Sequence, residues 1–146
     1  MKLKPLLCVM ALCLPLPALA QTAAPCPELP ATTGLSWESS AGEDFLFCKA
    51  VREDGFQAFS VMLRGEEESR FRERFSLREE KGLIDGHEVR WYRGNVPDAI
   101  VRETLIELDD DLTAHIMLRV DNEEQLAESL RLAESIRFGD TRIGSN

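Results

Sequence analysis

Hydrophobic and polar residues alternate with a period of two along much of the chain between residues 35 and 120. This alternation is typical of half-buried β-strands. The clearest case is the stretch 112–120, where apolar residues occupy every second position. They are Leu112, Ala114, Ile116, Leu118 and Val120, set against Thr113, His115, Met117 and Arg119. We predict strands at 35–38, 44–52, 56–64, 87–93, 101–108 and 112–120.

The segment 70–77 fits two patterns. It alternates with period two from Phe71, which favours a strand. Phe71 and Phe75 also lie four residues apart, as they would on one face of a helix. We favour a strand, and a helix within 64–74 remains the alternative.

After residue 120 the apolar spacing changes to that of an amphipathic helix. Leu126, Leu130 and Ala133, flanked by Ala127 and Ile136, form one apolar stripe. The helix is therefore the only long element that follows the strands, and we expect it to end near Arg137.

The start of this helix has two overlapping capping patterns. Asp121 stands three residues before Glu124, and Asn122 stands three residues before Gln125. A capping residue followed at that distance by Glu or Gln is typical of a helix N-terminus. Either Asp121 or Asn122 is expected to cap the helix.

Together these elements predict an α+β domain, an antiparallel sheet of about six strands with the C-terminal amphipathic helix packed on one face. Asp-Gly pairs at 54–55 and 85–86 indicate hairpin turns. In the order of its elements over 35–138, the chain resembles the PsbP-type α/β sandwich, and the resemblance implies a fold and no function. That family usually has a helix after its early strands, and only 64–74 could supply one here.

The first twenty residues have the three regions of a secretory signal peptide. Lys2 and Lys4 make a basic start, residues 5–16 are apolar, and residues 17–20 end in an Ala-x-Ala pattern before Gln21. We expect residues 1–20 to be removed and the mature chain to start at Gln21.

The rest of the chain is expected to be periplasmic or secreted, without a stable membrane anchor. A lipid-attachment cysteine would follow a small residue, but the residues before the first three cysteines are Leu7, Leu12 and Pro25. The predicted parts of the mature protein are a Pro/Ala-rich arm at 21–34, one domain at 35–138 and a polar tail at 139–146.

The charge of the chain narrows the choice of partners. The full sequence has 17 basic and 26 acidic side chains and a formal charge of −9, and loss of Lys2 and Lys4 leaves 15 basic side chains and a charge of −11. Nucleic-acid binding needs a basic face, so we expect no nucleic-acid partner. A strongly acidic chain suits a cationic protein partner, because opposite charges speed encounter.

The cysteines indicate one disulfide bond. Cys8 and Cys13 lie in the predicted signal peptide, which leaves Cys26 and Cys48 in the mature chain. An even pair in an oxidising compartment is expected to be bridged. The pair would hold the Pro-rich arm against the strand that contains Cys48.

The sequence has no motif that names a reaction, so we expect no enzyme and no cofactor. His87 and His115 are single histidines within predicted strands, and we assign no metal site to them, although two strands could bring them together with Glu88 or Glu103. Asp109, Asp110 and Asp111 lack the spacing of an EF-hand calcium loop. No G-x-S-x-G nucleophile motif is present.

These observations favour an exported, non-enzymatic protein-binding module, most concretely an immunity or inhibitor protein that neutralises a cationic toxin or enzyme. Two sets of acidic residues, in loops, are its predicted contact edges, and two aromatic residues of a strand are predicted to join them. They are Glu66, Glu67 and Glu68, then Asp109, Asp110 and Asp111, with Trp91 and Tyr92. The alternative is a small-ligand-binding or envelope-assembly module with a pocket between sheet and helix near Trp37 and Trp91.

Overall fold

The computed structural model describes residues 26–65, 75–109 and 111–139, and these form one antiparallel sheet and one α-helix. The sheet has seven strands, and the helix follows the last of them. In chain order the elements are β1 (Ser36–Ala41), β2 (Phe45–Val51), β3 (Gln57–Arg64), β4 (Arg78–Ile84), β5 (His87–Arg93), β6 (Ile100–Asp109), β7 (Leu112–Val120) and α1 (Glu123–Ala133). Short 3₁₀ turns occupy Ala31–Thr33 and Phe75–Leu77.

The strand order is β1-β2-β3-β7-β6-β5-β4, and all neighbouring strands are antiparallel. Two consecutive runs, β1 to β3 and β4 to β7, therefore meet where β3 pairs with β7. Ile116 lies at this junction, opposite Val61 on β3 and Thr104 on β6. β1 and β4 form the two edges of the sheet.

One face of the sheet carries the hydrophobic core, and α1 lies on it. The helix packs against β7 and β3, at the centre of the sheet. It buries Leu126, Ser129, Leu132 and Ala133. Larger buried side chains of the sheet, including Phe59 and Trp91, complete this core. We call this face the covered face, and the face on which no described helix packs the open face.

The predicted fold class is confirmed in its coarse form, a sheet-dominated α+β domain with a C-terminal helix. The strand count differs, because Arg78–Ile84 forms a seventh strand that the sequence analysis did not predict. This strand is polar, with only Ile84 buried, because it is an edge strand. The strand favoured at 70–77 is not observed at Phe75–Leu77, which forms a 3₁₀ turn, and residues 70–74 lie outside the described residues.

The helix begins as one of the two capping patterns predicts and ends earlier than expected. Asn122 is the N-cap, and its Oδ1 accepts a hydrogen bond from the backbone N–H of Gln125 at 3.0 Å. The helix ends at Ala133, four residues before the expected end near Arg137. The reason is a tertiary contact, because the backbone of Arg137 pairs with that of Glu28 through two hydrogen bonds of 2.7 and 3.1 Å.

The end of the helix presses a carboxyl group against the sheet. A Cβ added at Gly82 would overlap the carboxyl of Glu134 and lie 3.1 Å from Nε1 of Trp91. Burial raises the pKa of Glu134. The same contact explains the glycine in β4, since any larger residue would displace Glu134.

The N-terminal arm is held to the domain from residue 26 onward. The predicted disulfide joins Cys26 to Cys48 on β2. Nε1 of Trp37 also donates a hydrogen bond of 2.6 Å to the carbonyl oxygen of Pro27. Residues 1–25 and 140–146 lie outside the described residues, and no helix in the described part is long and apolar enough to span a membrane.

Candidate functional site

Three turns at one end of the sheet, β1–β2, β4–β5 and β6–β7, have acidic residues among those that the structure describes. Register pairs Phe45 with Arg64, Arg64 with Thr113 and Thr113 with Glu107, so the β1–β2 and β6–β7 turns lie at the same end. The exposed acidic residues of these turns are Glu43, Asp44, Asp109 and Asp111. The opposite end of the sheet also carries acidic residues, so acidity alone does not identify a site.

What distinguishes this end is an opening between two neighbouring strands. β5 and β6 are in register at Tyr92–Glu103 and Arg93–Arg102 and at no further position. β6 and β7, by contrast, are paired along almost their full length. We call the opening between residues 87–89 of β5 and residues 105–107 of β6 the wedge.

Side chains hold the closed part of the two strands together. Oγ1 of Thr104 donates a hydrogen bond of 2.9 Å to the carbonyl oxygen of Arg90, where the backbone pairing stops. Within the paired segment, Arg102 is 7% exposed and reaches past β5 to β4, where it donates to both carboxyl oxygens of Glu80 at 2.9 and 3.2 Å. Burial opposes ionisation of Glu80, but the hydrogen bonds from Arg102, a backbone hydrogen bond at Glu80 and the charge of Arg102 together outweigh it and lower the pKa of Glu80. The strands are therefore fixed at one end and apart at the other.

The wedge contains a cavity of about 220 Å³. Its walls combine apolar side chains with two carboxylates. Val89, Leu105 and Ile106 supply apolar surface, and Glu88 and Glu107 are exposed to solvent. His87 and Thr113 complete the lining.

Two carboxylates and one hydroxyl of the wedge have no partner among the residues that the structure describes. Within the described residues, neither Glu88 nor Glu107 forms an ion pair, although other acidic residues such as Glu38 do so. Thr113 is 4% exposed, and its hydroxyl has no hydrogen-bond partner in the described part of the chain. In the described part of the chain, the fully buried polar atoms without a partner are Nε1 of Trp91 and Oγ of Ser129, so the hydroxyl oxygen of Thr113 reaches the cavity and is available to a ligand there. Arg64, the register partner of Thr113, already has an interaction partner of its own.

The two histidines do not meet. His115 lies on the open face, where its Nε2 is 3.2 Å from Oε2 of Glu103. Tyr92 pairs with Glu103, so Tyr92 and the other even-numbered residues of β5 lie on the open face. His87 has an odd number and therefore lies on the covered face. In the ranges that the structure describes, no group of three or more His, Cys, Asp or Glu side chains is placed to hold a metal ion.

The predicted contact residues have different outcomes. Asp109 and Asp111 are exposed beside the wedge, whereas Glu66, Glu67, Glu68 and Asp110 lie outside the described residues. Trp91 is completely buried, so its assignment to a contact surface is wrong. Its position on β5 directs it into the core on the covered face, while Tyr92 is half-buried on the open face.

The sequence analysis missed Glu88, Glu107 and Thr113 as members of one site. Each occupies an ordinary position in an alternating strand, and no local pattern shows that β5 and β6 separate there. The predicted pocket near Trp37 and Trp91 is not the cavity described above. Trp37 packs edge-on against Phe59 with ring centroids 5.7 Å apart.

Comparison with known proteins adds no assignment to this geometry. No family model, no curated protein and no solved structure matches the chain.

Proposed function

We propose that the protein is an exported, non-enzymatic protein-binding module that occupies a cationic protein, most concretely an immunity or inhibitor protein against a secreted toxin or enzyme. The observation that carries the proposal is the wedge, a cavity of about 220 Å³ lined by two carboxylates that have no ion pair within the described residues. The exposed acidic turns beside it, with Asp109 and Asp111, extend the same charge to the protein surface.

Charge supports this class of partner in two ways. The chain has a formal charge of −9, or −11 without the predicted signal peptide, and opposite net charge raises association rates with a cationic protein. Carboxylates that lack an ion pair keep their full attraction for an incoming cation, since no internal partner must first be displaced. Binding of this kind weakens as salt concentration rises, because screening shortens the range of the attraction.

Export supports the inhibitor version of the proposal. The N-terminal pattern predicts secretion, and the Cys26–Cys48 disulfide suits an oxidising compartment. A small binding domain placed there would meet toxins that arrive from neighbouring cells before they reach their targets.

A protection experiment tests the proposal. The gene is deleted in its own host, and the deletion strain is grown in contact with the parent strain. We expect the parent to inhibit the deletion strain, and we expect periplasmic expression of the chain to restore growth. A matched chain that lacks residues 1–20 should fail to protect. Equal growth of the deletion strain beside its parent contradicts the inhibitor function.

A second candidate is a small-ligand-binding or envelope-assembly module, and the cavity favours its ligand-binding form. At about 220 Å³ the cavity is smaller than the sites that enclose drug-sized ligands, so its ligand would be a compact molecule. Thermal unfolding in the presence of panels of small cations, glycans and lipids tests this candidate. A stabilisation by a glycan or a lipid that Glu107→Gln abolishes would favour it over the inhibitor.

A further inference from the structure

We propose that the wedge between β5 and β6 is a binding site for a single arginine side chain of the partner protein. This inference rests on the proposed protein-binding function and specifies the chemistry of its contact. Four observations on the wedge lead to it: the cavity, its apolar walls, its two carboxylates and the hydroxyl of Thr113, which has no hydrogen-bond partner within the described residues.

The size of the cavity selects one side chain. A volume of about 220 Å³ is below the range of about 300–1,000 Å³ typical of sites for larger ligands. The opening lies between two strands of one sheet and is bounded by the hydrogen bond from Thr104 to Arg90. The opening therefore has room for one extended side chain of a partner protein, and the partner need not add a β-strand to the sheet.

The lining matches both parts of an arginine side chain. Its aliphatic stem would contact Leu105, which shares the open face with Glu88 and Glu107, and the edges of Val89 and Ile106, which line the gap from the covered face. Its guanidinium carries five N–H donors in a plane, and Glu88, Glu107 and the hydroxyl of Thr113 are the acceptors. Arginine would thus satisfy a hydroxyl that has no partner in the described part of the chain.

Lysine suits the site less well. Its ammonium is compact and strongly hydrated, so entry into a cavity with apolar walls costs more than entry of the weakly hydrated guanidinium. One ammonium also offers a point charge to acceptors that lie on three different strands, whereas the planar guanidinium has donors that point in several directions. We therefore expect arginine to bind more tightly than lysine.

Nuclear magnetic resonance titration of the disulfide-bonded mature chain tests the site without knowledge of the partner. The probes are N-acetyl-arginine amide, N-acetyl-lysine amide and the neutral isostere N-acetyl-citrulline amide. We expect the arginine probe to shift the backbone amide signals of residues 87–89 and 105–107. The lysine probe should bind more weakly, and the citrulline probe should leave these signals unchanged.

Matched variants separate the site from diffuse electrostatics. Glu88→Gln with Glu107→Gln should weaken the arginine probe by about tenfold or more, as expected for loss of hydrogen bonds to a charged group. Glu53→Gln with Glu124→Gln makes the same change in net charge at two exposed positions on the opposite end of the sheet. This control should weaken binding by less than about twofold.

Thr113→Val provides an independent variant that keeps the shape of the buried side chain. Because the hydroxyl of Thr113 has no internal partner to lose, the variant should fold normally. It should nevertheless weaken the arginine probe by about threefold or more.

Three results would overturn the arginine site: no shift at residues 87–89 and 105–107, equal binding of citrulline, or equal weakening by the two double variants. Tighter binding of lysine than of arginine would also overturn it. Each of these results leaves the protection experiment unaffected, so an inhibitor that lacks this subsite remains distinguishable. Conversely, probe binding in the wedge together with failure to protect would retain the arginine site and remove the inhibitor function.

Discussion

Loss of the Cys26–Cys48 bond is the perturbation whose effect on stability follows most directly from the structure. The bond closes a loop with a sequence separation of 22 residues and fastens the arm to β2. The test variant combines Cys26→Ser with Cys48→Ala. Cys48 is fully buried, so alanine avoids placing a new hydroxyl in the core.

The expected loss of stability follows from the freedom that the unfolded chain regains. For a loop of this size, the chain-entropy relation gives about 3 kcal/mol at 25 °C. For a domain of this length, that loss lowers the midpoint of thermal unfolding by about 10–15 °C. Packing around Cys48 adds a smaller cost, since alanine leaves the space of the sulfur atoms unfilled.

Urea unfolding followed by tryptophan fluorescence measures this difference. Trp37 hydrogen-bonds to the arm and Trp91 lies in the core, so the signal reports on both regions. We expect the double variant to have a lower free energy of unfolding and a steeper denaturant dependence, because its unfolded state exposes more surface. Trp37→Phe, which removes the hydrogen bond to Pro27 and keeps the disulfide, is the comparison and should cost about 1 kcal/mol.

A loss below about 1 kcal/mol in the double variant would refute this reasoning. It would mean that other contacts already restrain the loop when the disulfide is absent. The backbone pairing of Glu28 with Arg137 is the contact that would then deserve deletion, by Glu28→Pro.

Three further predictions concern groups whose environment is clear. Burial raises the pKa of Glu134, so the folded state favours the neutral form of its carboxyl group. The stability that this group contributes is present at low pH and is lost as the pH rises through the folded-state pKa. Urea unfolding at several pH values should show that Glu134→Gln removes this pH-dependent loss. Thr104→Val should cost about 1–3 kcal/mol in the same assay, because the buried carbonyl of Arg90 loses its donor; an unchanged free energy would show that the bond does not hold β5 to β6. Asn122→Ala should cost about 1 kcal/mol through loss of the hydrogen bond to the N–H of Gln125, and Asn122→Asp should restore most of it.

Local patterns predict most of the strands. β7 and β5 appear at Leu112–Val120 and His87–Arg93 as their alternation indicates, since period two reports directly on a two-faced sheet. β4 is not predicted, because an edge strand exposes most of its residues and so lacks the alternation of apolar and polar residues. The early end of α1 is not predicted either, because it depends on the backbone contact between Arg137 and Glu28, and no pattern within the helix indicates that contact.

The candidate site was predicted less completely than the strands. Asp109 and Asp111 were recognisable as an exposed acidic turn from composition alone, and the structure exposes both. Glu88 and Glu107 were not recognisable as neighbours, since 19 residues separate them and only the packing of β5 against β6 brings them to one cavity. Trp91 was assigned to a surface because alternation distinguishes two faces without showing which one a helix will cover.

Most of the strands, the helix, the acidic charge and the pairing of Cys26 with Cys48 are predictable from local spacing, from composition and from the presence of only two cysteines after residue 20. Only the tertiary structure decided that β7 pairs with β3, that α1 covers the face holding Trp91, and that β5 and β6 part beyond Thr104. These features depend on contacts between residues far apart in the chain, where the burial of one face and the register of one strand constrain the next. The wedge belongs to this second group, because it exists where the side chains of neighbouring strands hold the two backbones together at one end and not at the other.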